Sequence, residues 1–312
     1  MAASSSPPIA PTAPVGPIAP IGPIAHIAPT RAARTPWKDA LTRLFRDRAA
    51  MLGLVIILLM ALLAIFAPLV SRQDPLAQEL VQRLKPPTSA HWFGTDNLGR
   101  DVFSRVLHGG RISLRVGIVS VVAGALIGSL LGLIAGYAGR VADTAISRTM
   151  EIVLAFPSTL LAIAIVAARG PGIENTMMAI SVISIPIYAR LMRSSVLALK
   201  ERDFVIAARC IGADGGRILF GHILPNGLSP LIVQSTLGIA TAIIEAAALG
   251  FLGLGAQPPI PEWGLMLTDA RNFLLNAPWA MIFPGAAIMI TVLGFNLFGD
   301  GLRDALDPQL RH

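Results

Sequence analysis

The 312-residue chain is 54% hydrophobic and only 14% charged, with a mean hydropathy of +0.67, whereas an ordinary soluble domain carries about 25% charged residues. A membrane span needs about 20 apolar residues, so there is room for roughly six spans with their loops and none for a large extramembrane enzyme domain. The net charge of +7 rests on 25 Lys and Arg against 18 Asp and Glu; in a membrane chain such an excess reports topology first, and with 6% aromatic residues it makes no nucleic-acid surface. The single Cys210 excludes an internal disulfide, and five scattered histidines make no metal cluster. Neither a metal nor another cofactor is expected.

Residues 1–30 are low in complexity, with Pro11, Pro14, Pro17, Pro20 and Pro23 at every third position, the repeat of a polyproline II helix. They predict an extended, disordered cytoplasmic tail over residues 1–36; a ligand for an SH3-type domain is the functional alternative, and no basic segment ahead of an unbroken apolar core marks a signal peptide. Six apolar segments come next, at 49–70, 116–137, 152–168, 173–189, 228–254 and 277–298. Together they predict an all-α integral membrane protein of six transmembrane helices. The third and fourth are short and contain Pro157 and Pro186; fusing them would give five spans, but Arg169-Gly170-Pro171-Gly172 reads as a turn between two. With the N-terminus inside, sixteen Lys and Arg fall in inner segments and nine in outer ones, which favours both termini in the cytoplasm. The organisation expected is a first span with a basic inner flank over 37–71, an external loop with an amphipathic helix over 72–115, and a five-helix core over 116–312.

Several positions have chemistry of their own. Asp101 and Arg105 stand at i, i+4 in the external segment, and Arg148 and Glu151 at i, i+3 beside the third span, the spacings of helical ion pairs. Gly124, Gly128, Gly132 and Gly136 put a small residue at every fourth position of the second span, which lets another helix approach its backbone closely; that helix belongs either to this chain or to a second membrane subunit. Only the fourth and fifth segments carry acids, Glu174 and Glu245. Glu245 falls about 14 Å inside the end of the fifth, where an ionisable group is costly unless it is paired or faces water. It either lines a solute path, meeting a cationic group there, or bonds to a neighbouring helix.

Residues 190–226 are too polar for a span yet strongly patterned. Asp203 suits a helix N-cap and Gly212 the residue just past a C-cap, bounding a helix of eight residues, about 12 Å long. Phe204, Ala207, Ala208 and Ile211 fall at i, i+3, i+4 and i+7, one apolar stripe, and Pro225 is expected to end the next helix before the fifth span. Such a helix either enters a groove on another protein or lies among lipid headgroups.

Ala207-Ala208, Gly212-Ala213 and Leu224-Pro225 resemble the EAA loop of ABC importer permeases, although Ile206 and His222 stand where that pattern has Glu and Ile. Residues 91–117, 245–267 and 295–311 (HWFGTDNLGRDVFSRVLHGGRISLRVG, EAAALGFLGLGAQPPIPEWGLML and FNLFGDGLRDALDPQLR) are similar to the C-type permease subunits of dipeptide and oligopeptide ABC transporters. The resemblance runs from about Trp37 to Arg311. It implies the type I importer permease fold and a coupling loop over 193–226, in which Asp203, Phe204, Ala207, Ala208, Gly212, Ala213, Leu224 and Pro225 engage a cytoplasmic ATPase. It further implies a homologous permease subunit as a partner, two ATPase subunits, an external substrate-binding protein and a peptide substrate, all in the bacterial inner membrane. The sequence agrees that ATP chemistry lies elsewhere: a P-loop needs Gly-Lys before Ser or Thr, and the only lysines, Lys38, Lys85 and Lys200, follow Trp37, Leu84 and Leu199. No residue is a candidate for catalysis. The readings to weigh against this are an ion-driven secondary carrier, a membrane scaffold, and the same permease role for nickel or another small solute.

Overall fold

The computed structural model describes residues 36–306, so the proline-repeat tail expected over 1–36 lies outside the described residues but for Pro36. Within them every regular element is helical. Helix α1 (Pro36–Arg46) passes into α2 (Arg48–Ile65) across Asp47, whose Oδ1 accepts from Ala49 N at 2.8 Å and Ala50 N at 3.3 Å. Those amides would otherwise lack partners. A short α3 (Ala67–Val70) completes the first apolar segment.

The second span differs from its sequence reading. Helix α4 (Val102–Tyr137) runs 36 residues without a break, so the boundary drawn at 115/116 and the separate external helix before it are corrected. Asp101 starts the helix by accepting from Ser104 N at 2.7 Å, and no proline interrupts the helix between Val102 and Tyr137. Since Asp101 is used as a cap and contacts His91 Nδ1 at 3.0 Å, Arg105 does not pair with it; Arg105 turns instead to Asp96 at 3.5 Å.

Helices α5 (Arg140–Leu154) and α6 (Ser158–Arg169) meet at an 89° bend. The expected third span straddles that bend, because Pro157 offers no amide to the preceding turn and disfavours helical backbone at Phe156. Helix α7 (Ile173–Lys200) keeps Pro186 inside it and runs eleven residues beyond the expected end of the fourth span, into the segment read as a loop. Then come α8 (Asp203–Cys210), α9 (Gly215–Ile218), a single π turn over Leu219–Ile223, and α10 (Leu224–Phe251). Pro225 therefore ends no helix: it sits in the first turn of α10, and the wider π turn before it accommodates its ring. Helices α11 (Trp263–Ala270) and α12 (Trp279–Leu306) complete the described chain.

Five of these helices are long and apolar enough to cross a membrane, and the bent α5–α6 pair is the sixth candidate. The packing of α4 on α7 decides what that pair does. A Cβ on Gly124 would stand 2.9 Å from Ser181 O, one on Gly128 2.5 Å from Ile185 O, one on Gly136 2.7 Å from Val196 Cβ, and one on Gly132 would collide with Ala189 O. Advancing four residues along α4 thus advances about four along α7, so the two helices run parallel in close contact. The glycine row packs inside this chain. Parallel neighbours require a return between them, and α5–α6 supplies it: Tyr137 lies by Lys200 at one end, while Gly172 N donates to Leu254 O at the other. Counting the bent pair as one span gives six passes through the bundle, and both ends of the described segment lie at the end of the bundle that carries α8. One apolar cluster, including Val121, Ile180, Tyr188, Met192, Leu231 and Leu249, joins α4, α7 and α10.

Candidate functional site

The segment 201–226 is built from its caps inward. Arg202, not Asp203, is the N-cap of α8, and Asp203 is its first helical residue, where a carboxylate is favourable to the helix dipole. At the other end Ala213 N donates to Ala208 O at 3.0 Å and Gly212 N to Arg209 O at 3.0 Å, a Schellman pair. This closure needs a left-handed residue, and Gly212 has φ +84°. The glycine at 212 is thereby explained by backbone geometry. Asp214 then caps α9 by accepting from Arg217 N at 3.1 Å.

The expected apolar stripe is divided between two faces. Ala208 goes inward with Val205, both buried in the cluster that holds Met192, Val196, Ile218 and Ile223, with Ala213 and Leu224 packed against it. Phe204, Ala207 and Ile211 are exposed on the outside together with Ile206, and Ile211 is 86% exposed. The helix stands on the transmembrane core by one side and presents an apolar surface by the other. Arg202 and Arg209, on the same segment, are exposed as well. Pro225 is exposed at the start of α10. Sequence reasoning missed Val205 as the anchor, because three apolar residues in a row at 204–206 do not announce which one turns inward.

Behind this segment, α5 is held to α7 by Asp143 and Arg193. Arg193 Nη2 donates to Asp143 Oδ2 at 2.7 Å and its Nε to Oδ1, a two-point geometry that fixes the relative rotation of the helices. Arg148 and Glu151 pair at 2.8 Å on the exposed face of α5. Glu245 is half-buried in α10 and has no hydrogen bond or ion pair among the described residues, and Glu174 is exposed in the first turn of α7.

The opposite end of the bundle contains a group the sequence did not single out. Arg100, 2% exposed, donates Nε to Asp96 at 2.6 Å and Nη2 to Asp269 at 3.0 Å. Buried Arg105 adds a contact to Asp96 and donates to Pro75 O at 3.3 Å. Glu262 caps α11, accepting from Gly264 N and Leu265 N at 2.9 Å each and from Ser113 Oγ at 3.0 Å, while Trp263 Nε1 donates to Val106 O at 2.9 Å. Burial pushes the Glu262 carboxyl up from its ordinary value, against the opposing pull of those three donors. These contacts fasten the segment before α4, the start of α4 and α11 into one cap. The i, i+4 spacing of Asp96 and Arg100 was visible, but Asp269 lies 169 residues from Arg100 and no local pattern joins them.

The profile of the family described as binding-protein-dependent transport system inner membrane component matches residues 128–312, and that of the N-terminal TM domain of oligopeptide transport permease C matches residues 35–87. The dipeptide transport system permease protein DppC of Alkalihalophilus pseudofirmus is 54% identical over 279 residues, 89% of this chain and 92% of that protein. The glutathione transport system permease protein GsiD of Pectobacterium atrosepticum is 48% identical over 282 residues, 90% of this chain and 94% of its own length. A solved chain of the MetNI methionine ABC transporter in an inward-facing conformation aligns with a TM-score of 0.54 and 19% identity, over 66% of this chain and 97% of that one; the two share a fold, the type I importer permease fold. The chain belongs to the family of inner membrane components of binding-protein-dependent transport systems.

Proposed function

We propose that the chain is the C-type permease subunit of an ATP-driven importer of di- or oligopeptides, and that α8 is its coupling helix. The observation that carries this reading is the two-sided build of α8: Val205 and Ala208 are embedded in the transmembrane cluster while Phe204, Ile206, Ala207 and Ile211 are exposed. A partner pressing on the outer side would move the ends of α7 and α10 directly, because the inner side packs with Val196 and Ile223 as one close-packed body. The partner is a pair of cytoplasmic ABC ATPase subunits. They supply ATP hydrolysis, and the chain itself catalyses nothing. The excess of Lys and Arg at this end supports a cytoplasmic α8 and cytoplasmic termini in the inner membrane.

The second half of the pathway comes from a homologous permease subunit, and an external substrate-binding protein delivers the cargo. Relatives named for dipeptide and for glutathione transport support a peptide cargo. Glu245, half-buried and without a partner among the described residues, lines the path and meets the peptide's ammonium group. The test is uptake of a labelled dipeptide into proteoliposomes. Uptake is expected only with both permease subunits, the ATPases, the binding protein and ATP. The exposed Ala207→Glu is expected to reduce it at least tenfold with the chain still folded, whereas the same change at buried Ala208 would confuse coupling with packing. Glu245→Gln is expected to lower uptake without loss of ATPase assembly. Uptake by the chain alone under an ion gradient would overturn the reading.

A further inference from the structure

We infer that α1 is a docking surface for anionic phospholipid, holding the end of the first span at the bilayer surface. The position of α1 is set by what it adjoins. Asp47 both ends α1 and caps α2, so α1 lies one residue from the start of a membrane-spanning helix, at the level of the lipid headgroups. Leu44 fastens it there, buried in a cluster with Ala50 and Ala305, against which Phe298 and Leu302 pack.

The neighbouring face of α1 is different. Leu41 and Phe45, at i, i+4, are 50% and 61% exposed, and Trp37 falls in the same register of the sequence. Arg46 is exposed on the polar side of α1, and Arg48 is exposed at the start of α2. Over residues 31–48 six Lys and Arg face two acids, Asp39 and Asp47, and Asp47 is committed to the amides of α2. An apolar pair on one side of a helix and arginine on the other, fixed at headgroup depth, are complementary to the upper acyl chains and the phosphates of an anionic leaflet. Charge argues for this occupant over a protein groove, since basic residues outnumber acids six to two over residues 31–48. The inference is independent of the transported solute and of α8.

The test uses the full chain, purified in mild detergent and exposed to mixed micelles of phosphatidylglycerol and phosphatidylcholine, with retained lipid counted by native mass spectrometry. The wild-type chain is expected to retain phosphatidylglycerol preferentially. Arg46→Gln with Arg48→Gln is expected to reduce that preference at least about fivefold, the scale set by basic residues near an anionic surface. Arg140→Gln with Arg148→Gln, which removes two exposed charges from α5, is expected to leave it unchanged. Equal preference for the two lipids, an equal loss in both double variants, or displacement of the lipid by millimolar inorganic phosphate would overturn the inference. Leu41→Cys in a Cys210→Ser background gives a second reading in the assembled transporter: labelling from the lipid phase supports it, and cross-linking to another membrane subunit contradicts it.

Discussion

The two ends of the bundle are made by opposite means. At the end away from α8, buried charges do the fastening: Arg100 bridges Asp96 and Asp269, and Glu262 gathers two amides and a hydroxyl. At the α8 end, apolar packing seats α8 through Val205, Ala208 and Ile218 beneath an exposed apolar surface, and the charged pair behind it, Asp143 with Arg193, is only partly buried. Buried charge pairs tolerate little displacement, because each group left unpaired meets its full desolvation penalty. An apolar seat is less directional. The first end is therefore the rigid one, and the second is the one suited to receive force.

The most damaging way to probe this contrast is Arg100→Met, which takes Asp269's ion-pair partner away and leaves Asp96 with Arg105 alone. A loss of about 3–5 kcal/mol is expected, read as a drop in the unfolding midpoint of the detergent-purified chain; a change below about 1 kcal/mol would mean that the cap does not depend on its charges. Next is Gly132→Val, which drives a branched side chain into Ala189 O and is expected to cost about 3 kcal/mol by prising α4 from α7. If the variant is as stable as wild type, the close parallel packing of the two helices is wrong.

A smaller effect is expected from pH. Burial raises the Glu262 carboxyl above its ordinary value of 4.5, so the folded cap holds its proton to higher pH than the unfolded chain does. Stability from this group is then greatest at low pH and declines as pH rises through the window above 4.5, levelling off once the folded group has ionised. The midpoint of Glu262→Gln, tracked over the same pH range, is expected to lack that decline. The least effect on the fold is expected from Phe204→Asp on the outer face of α8, less than about 0.5 kcal/mol, with ATP-dependent uptake nonetheless lost. A stability loss as large as that of Val205→Asp would place Phe204 on the inner side and remove the two-sided helix.

The legible parts of the sequence were those set by local rules. Gly212 follows from capping, whereas the start of α8 falls one residue earlier than the Asp203 cap predicts, and the row from Gly124 to Gly136 follows from period-four spacing, although the choice of α7 as its neighbour does not. Element limits were lost where tertiary structure overrides a local signal. Pro186 remains within α7 and Pro225 begins α10 behind a π turn, and Asp101 starts a helix well before the apolar run does. The division of α8 was invisible for a related reason. Periodicity gives a stripe, but which apolar residues of the stripe lie inward depends on Met192, Val196 and Ile223 from other helices.

The central claim, that the outer face of α8 receives an ATPase, has a probe built into the chain. Cys210 is its only cysteine, and it is exposed on α8. A thiol-directed photo-cross-linker attached to Cys210 in the assembled transporter is expected to capture the ATPase subunit. Cys210→Ser is expected to abolish the capture, and ATP-driven closure to change its yield. Transport that proceeds while Cys210 stays fully open to a bulky maleimide and cross-links to no ATPase would contradict the account.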